Sequence, residues 1–144
     1  MIYWFTGQPA AGKTTLAKYL VEYFPKHNVI HIDGDDLRDI FQNKDYSENG
    51  RRKNIERAQE IAHFMNEKGY NVVVSLVSPY RNQREDFKSK STVIEIYVHT
   101  EEDRGRNQFH VAEYEPPLEN FVDVDTTSDD ETDSYYKLLS KLFL

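Results

Sequence analysis

Cysteine is absent from this 144-residue chain. That excludes a disulfide scaffold and every thiolate metal site, and it agrees with a reducing cytoplasm. The five histidines, His27, His31, His63, His99 and His110, are scattered without the spacing of a metal-ligand set. No apolar run reaches membrane-spanning length. No signal pattern opens the sequence either, because Lys13 interrupts it early and no charged region precedes an apolar one. Positive charge is in deficit, with 18 Lys and Arg against 25 Asp and Glu and a net charge of -7. Duplex nucleic acid and anionic membranes reward a basic surface, so both are disfavoured as partners. The length fits a single domain, residues 1–144, with enough chain to bury a core unaided.

What is present begins with Gly7-Gln-Pro-Ala-Ala-Gly12-Lys13-Thr14. The segment follows an apolar run, Ile2 to Phe5, and opens a helix-like stretch, which is the strand-loop-helix setting of a phosphate-binding loop. Glycines let the backbone curl so that successive N–H groups face phosphate oxygens, and the next helix adds the positive end of its dipole. The expected contacts come from Gly7, Ala10, Ala11, Gly12, Lys13, Thr14 and Thr15. Lys13 is expected to reach the β and γ phosphates of ATP and Thr14 to hold Mg²⁺.

Apolar runs alternate with helical patterns along the chain, and this predicts parallel βαβ units with right-handed crossovers. Strands are predicted at Ile2–Phe5, Val29–Ile32, Asn71–Leu76, Val93–Val98 and Phe121–Val124. Helices are predicted at Thr14–Phe24, Asn54–Lys68, Pro79–Phe87 and Asp129–Phe143. The fold class is α/β: a three-layer nucleotide-kinase-like fold of the P-loop NTPase kind, with a mainly parallel five-stranded sheet. The interval at about 101–119, which contains Pro116-Pro117, has no clear period and falls where such a kinase carries its lid.

Three further groups fall at predicted strand ends, where open parallel sheets bind ligands. Asp33-Gly34-Asp35-Asp36-Leu37-Arg38 follows the second strand. A carboxylate there orders Mg²⁺ or accepts the proton of an attacking hydroxyl. Asp33 and Asp35 are the candidates, and Asp36 is expected to cap the turn. Arg38, Arg51, Asn54 and Arg57 form the second group, shared with Tyr46. Arg51, Asn54 and either Arg57 or Ala58 are spaced to share a helix face and present donors to an anion. Ser78-Pro79-Tyr80-Arg81 follows the third strand and has a plain alternative as a helix N-cap.

Taken together, these residues resemble the adenylylsulfate kinase family, which phosphorylates the 3′-hydroxyl of adenosine 5′-phosphosulfate. The resemblance runs from about Ile2 to Val98. It is carried by the phosphate loop with Thr14-Thr15-Leu16-Ala17, by the Asp33–Arg38 loop, and by Tyr46-Ser47-Glu48 leading to Arg51 and Asn54-Ile55. Ser78-Pro79-Tyr80-Arg81 before a Val-Ile-Glu-Ile-Tyr-Val strand completes it. The resemblance implies ATP as donor, Mg²⁺ as metal, and Asp33 and Asp35 near the metal and the acceptor hydroxyl. It also implies that Arg38, Arg51 and Asn54 grip adenylylsulfate, that Tyr46 stacks on its adenine where Phe is usual, and that Val77 and Ser78 contribute backbone or hydroxyl contacts, with Arg57 a further substrate-binding candidate.

Two departures stand out. Glu56 replaces the first of two arginines that normally follow Asn-Ile, leaving Arg57. The family lid is long, with a Lys-rich helix and a Phe-Thr-Gly segment, whereas this interval is far shorter. It keeps Tyr114-Glu115-Pro116-Pro117 as the exit and supplies Arg104, Arg106 and Phe109 as substitutes. Two other classes of function are set beside the kinase. One is phosphoryl transfer to another nucleoside, a polynucleotide end or a small alcohol; the other is nucleotide binding without turnover. A small nucleotide is the expected partner, and a homodimer is left open.

Overall fold

The computed structural model of the protein describes residues 1–144. Five strands, β1 (Ile2–Thr6), β2 (Val29–Asp33), β3 (Asn71–Ser75), β4 (Val93–His99) and β5 (Phe121–Asp125), form one sheet in the order β2-β3-β1-β4-β5. Every pairing is parallel, so the sheet is wholly and not just mainly parallel. The helices are α1 (Lys13–Tyr23), α2 (Gly34–Phe41), α3 (Glu48–Glu67), α4 (Arg81–Lys90) and α5 (Glu131–Leu142). None is long and apolar enough to cross a membrane.

Side-chain alternation in the central strands divides the core in two. Ile2 and Trp4 of β1 join Val72 and Val74 of β3 on the face covered by α3 and α4, with Ile55, Ala58, Ala62 and Phe87. Tyr3 and Phe5 join Val73, Ile96 and Val98 on the other face, under Leu16, Ala17 and Leu20 of α1 and Leu138 of α5. With both faces covered, the inner strands read as continuous apolar runs. All five strand ends point to one edge. The connections that leave the neighbouring strands β1 and β3 run to opposite sides of the sheet, to β2 and to β4, so the loop after Thr6 lies at the switch point where such sheets bind ligands.

The strands match their predicted bounds to within a residue at each end, and the helices differ more. Helix α2 was not predicted as a helix, and its N-cap is Asp33, whose carboxylate accepts the Asp35 N–H, rather than Asp36. Asp35 and Asp36 occupy the first turn, where acidic side chains suit the dipole. Helix α3 begins at Glu48, six residues before the predicted Asn54. Ser47 caps it by accepting the Gly50 N–H, and Gly50 admits Asp45, whose carbonyl would lie 2.1 Å from a Cβ there. Helix α4 is capped by Tyr80, which leaves Pro79 outside and takes the cap role from Ser78.

Candidate active site

The phosphate loop leaves β1 at Thr6 and closes on Lys13. Gly7 has φ 151°, and a Cβ there would meet the Val98 carbonyl at 2.1 Å, so glycine is required. Ala10 holds φ 65°, an uncommon state for a residue with a Cβ. Its carbonyl is gripped by Arg104, whose Nη1 donates to the Ala10 and Ala11 oxygens at 3.1 and 3.3 Å and whose Nη2 donates to the Thr126 carbonyl at 2.9 Å. The Thr126 hydroxyl donates to Ala11 O at 2.8 Å. The loop is thereby fixed from the side of β5.

Lys13 is buried, and its ammonium donates to the Gln8 carbonyl at 2.8 Å. Burial lowers its pKa to about 8; Arg106 pushes the same way, and Asp33 and Asp35 oppose. The Thr14 hydroxyl stands 3.5 Å from Asp33 Oδ1. That carboxylate oxygen also accepts from the Ser75 hydroxyl at 2.9 Å, and Ser75 Oγ lies 2.9 Å from His31 Nε2. Since the single hydroxyl proton of Ser75 goes to Asp33, His31 is the donor to Ser75 and carries its proton on Nε2. Burial lowers the His31 pKa, which agrees with a neutral ring. Asp35 is exposed, and its carboxylate accepts no hydrogen bond from the protein.

Two cavities meet at this lysine. One, of about 850 Å³, runs from Gly12, Thr14 and Thr15 past Arg104 to Thr126 and the start of α5. The other, of about 720 Å³, runs from Lys13 and Thr14 past Asp33 and Asp35 to Arg38, Tyr46, Arg51 and Asn54. Ala10, Lys13, Thr14 and Arg106 line both. The two cavities therefore adjoin at the loop.

The expected site residues fall into three sets. Ala10, Gly12, Lys13, Thr14 and Thr15 line the first cavity, while Gly7 and Ala11 lie beneath the loop and shape it. Asp33, Asp35, Arg38, Tyr46, Arg51, Asn54, Val77 and Ser78 line the second. Asn54 donates to Gly34 O at 3.2 Å, and its Oδ1 is buried without a protein hydrogen-bond partner. Arg38 is partly committed: Nη1 donates to Asn43 O and Asp45 O, and its guanidinium lies 4.0 Å over the Tyr46 ring. One face of Tyr46 is therefore covered.

Arg57 is outside both cavities and stacks on Phe41 at 4.3 Å. At about 100° per residue it stands about 120° round the helix from Arg51, whereas Ala58 returns to the same face. The Ser78 hydroxyl accepts from the Trp4 indole at 2.9 Å and donates to Leu76 O, and its carbonyl receives Arg84 at 2.7 Å. It braces the cavity wall and its hydroxyl is already engaged.

The interval after β4 is a short strap with a single turn of 3-10 helix, Asn107–Phe109. Arg106 stacks over Phe109 at 5.0 Å, and both roof the second cavity with Gln108, His110 and Val111. The exit is tied down. Arg51 pairs with Glu113 at 3.1 Å, and Arg81 Nε and Arg84 Nη2 donate to the carbonyls of Pro116 and Glu115. Thr6 gives its proton to Val77 O, so the half-buried Tyr114 hydroxyl, with its pKa pushed up to about 12 by desolvation, donates to Thr6 Oγ1 at 2.9 Å. Arg84 also pairs with Glu95 at 2.6 Å, both fully buried. Sequence reading missed Gln8, His31, Ser75, Arg84 and Thr126. Gln8 stands in the loop and Ser75 and Thr126 at strand ends, whereas His31 within β2 and Arg84 within α4 have no such positional signal.

A family model described as adenylylsulphate kinase matches residues 1–125. The adenylyl-sulfate kinase of Buchnera aphidicola subsp. Acyrthosiphon pisum is 35% identical over 106 residues, covering 69% of this chain and 52% of that protein. That of Burkholderia ambifaria is 35% identical over 103 residues, covering 67% and 57%. The chain thus spans about half the length of the curated relatives it matches. Among solved structures, the hexameric APS kinase of Thiobacillus denitrificans matches 99% of the chain over 28% of its own, with TM-score 0.79 and 25% identity. The Mycobacterium tuberculosis APS kinase in complex with AMPPNP and APS has the same fold, with TM-score 0.79 and 18% identity over 99% of this chain and 97% of that one. Sequence, fold and the loop at the switch point agree that the chain belongs to the adenylylsulphate kinase family.

Proposed function

We propose that the protein transfers the γ-phosphoryl group of ATP to the 3′-hydroxyl of adenosine 5′-phosphosulfate. The observation that carries this reading is the meeting of two cavities at Lys13, with a carboxylate pair on the side of the second. The first would take the donor, with its phosphates on the loop amides and Lys13. The second would take the acceptor, whose anionic end would meet Arg51, with Asn54 beside it in the cavity wall. Tyr46 offers adenine its uncovered face.

The acceptor oxygen attacks the γ-phosphorus, the bond to the bridging oxygen breaks, and ADP leaves. Asp33 is engaged by Ser75, Thr14 and the Asp35 amide, so Asp35 is the carboxylate free to take the hydroxyl proton. The Thr14 hydroxyl and the Asp33 carboxylate are hard oxygen donors side by side, a pair that suits Mg²⁺ bound to phosphates. When bound, Mg²⁺ supplies positive charge that offsets charge on the transferring group.

Incubation with MgATP and adenylylsulfate should form ADP and 3′-phosphoadenylylsulfate in equal amounts. No acceptor-dependent ADP would sink the proposal. A second acceptor class is favoured by one observation, the Arg38 guanidinium on one face of Tyr46, which narrows the stacking site. Parallel reactions with nucleosides, a 5′-hydroxyl oligonucleotide and small alcohols separate that reading from the first.

A further inference from the structure

Gln8 follows the first glycine of the phosphate loop, yet its side chain belongs to the strap. Its Nε2 donates to Val111 O at 2.9 Å, and the Val111 N–H donates to its Oε1 at 2.9 Å. Because the two backbone partners are of fixed kind, they settle which end of the amide is which. The pairing is the two-bond exchange of neighbouring strands, made here by a side chain. Val111 is one of only two buried residues between positions 101 and 120, the other being Pro117. Residues 106 and 108–111 roof the second cavity, and Val111 is the last of them. Gln8 is also the residue whose carbonyl receives Lys13. A single position therefore joins the loop, its lysine and the roof.

We infer that Gln8 is a positioning residue that seats the strap over the acceptor cavity, so that the roof is registered against the phosphate loop. Its effect on turnover rests on the kinase reading; the seating itself does not. A seated roof excludes water from the transferring group and completes the acceptor site. The other ties of the strap lie at Arg104 and at Glu113 to Pro116. Without the amide pair, residues 105–112 keep the buried Val111 side chain but no side-chain hydrogen bond to the body of the protein, while both ends stay held.

The test uses the full chain with Gln8→Ala and Gln8→Glu. The latter keeps an acceptor for the Val111 N–H but sets a carboxylate against the Val111 carbonyl. Hydrogen exchange of peptides covering 105–112, followed by mass spectrometry without substrate, should speed up about tenfold in Gln8→Ala and less in Gln8→Glu. Exchange in β1 and β3 should be unchanged. With MgATP and adenylylsulfate, the acceptor KM should rise about tenfold while the ATP KM stays within about twofold, and ADP release without acceptor should increase.

Unchanged exchange at 105–112 would overturn the seating role. Faster exchange with an unaltered acceptor KM and unaltered acceptor-free ADP release would overturn the functional half. If the unsubstituted protein does not use adenylylsulfate, the kinase reading fails on that arm, and the exchange and acceptor-free ADP arms still decide the role of Gln8. Should Gln8→Ala not fold, Gln8→Glu carries the same comparisons.

Discussion

The phosphate loop and the strap face each other across one cavity and are built by opposite means. The loop is eight consecutive residues shaped by its own backbone, with left-handed conformations at Gly7, Ala10 and Gly12. The strap from Arg104 to Pro117 has one short turn of helix and is held by side chains that start at Thr6, Gln8, Arg51, Arg81 and Arg84. A substitution at a key loop side chain should therefore remove chemistry and spare the fold. A substitution among the strap's ties should loosen structure first and alter chemistry through it.

The strongest test of that contrast is Arg84, which serves the strap and the core together. Arg84→Ala leaves the buried Glu95 carboxylate with Lys88 alone and strips donors from Ser78 O and Glu115 O. The expected loss is about 3–5 kcal/mol, read by urea denaturation. A loss below about 1 kcal/mol would show that strap and core are independent.

Lys13→Met tests the other side. Turnover should fall about 10²–10³-fold, as when a single preorganised donor to developing charge is removed. The fold should gain stability at pH 7, because a buried ammonium with pKa lowered from 10.5 to about 8 disfavours the folded state while charged. Between those values the unfolded chain binds more protons than the folded one, so stability of the unsubstituted protein rises with pH across that window. Thermal midpoints of the two proteins should differ at pH 7 and converge towards pH 10. A midpoint for Lys13→Met below that of the parent at pH 7 would assign the lysine a structural role.

The smallest effect is expected at Arg51, whose pair with Glu113 is partly exposed. Arg51→Ala should change stability by less than about 1 kcal/mol and chiefly raise the acceptor KM. Glu113→Gln sharpens the result. If it reproduces the rise, Arg51 acts by holding the strap; if it leaves KM unchanged, Arg51 meets the acceptor itself.

The same contrast explains what could be read from the sequence. Strands were legible because β-branched and aromatic runs buried on both faces leave little alternative, and the loop was legible because its residues are contiguous. Helix α2 and the first turns of α3 were hidden by polar residues, since apolar spacing in α3 begins only at Ile55. Ser78 looked like a cap because nothing local reveals that Trp4, 74 positions away, takes its hydroxyl. Gln8 carries no local signal for the same reason, its partner lying 103 positions on. Arg57 is a different case: the sequence left it open beside Ala58, and the helical step of about 100° per residue puts Ala58 on the Arg51 face and Arg57 over Phe41.

The strap is moored at its two ends and bare between Gly105 and His110. Arg104 holds its beginning and Arg81 with Arg84 holds its end, while residues 105–110 are exposed and Gly105 has open space around it. Lengthening the chain between Gly105 and Gln108 would leave both moorings in place. The roof is thus an interchangeable part on a fixed mount, the point at which insertion by evolution or by an engineer would redraw the shape of the second cavity without rebuilding the fold beneath.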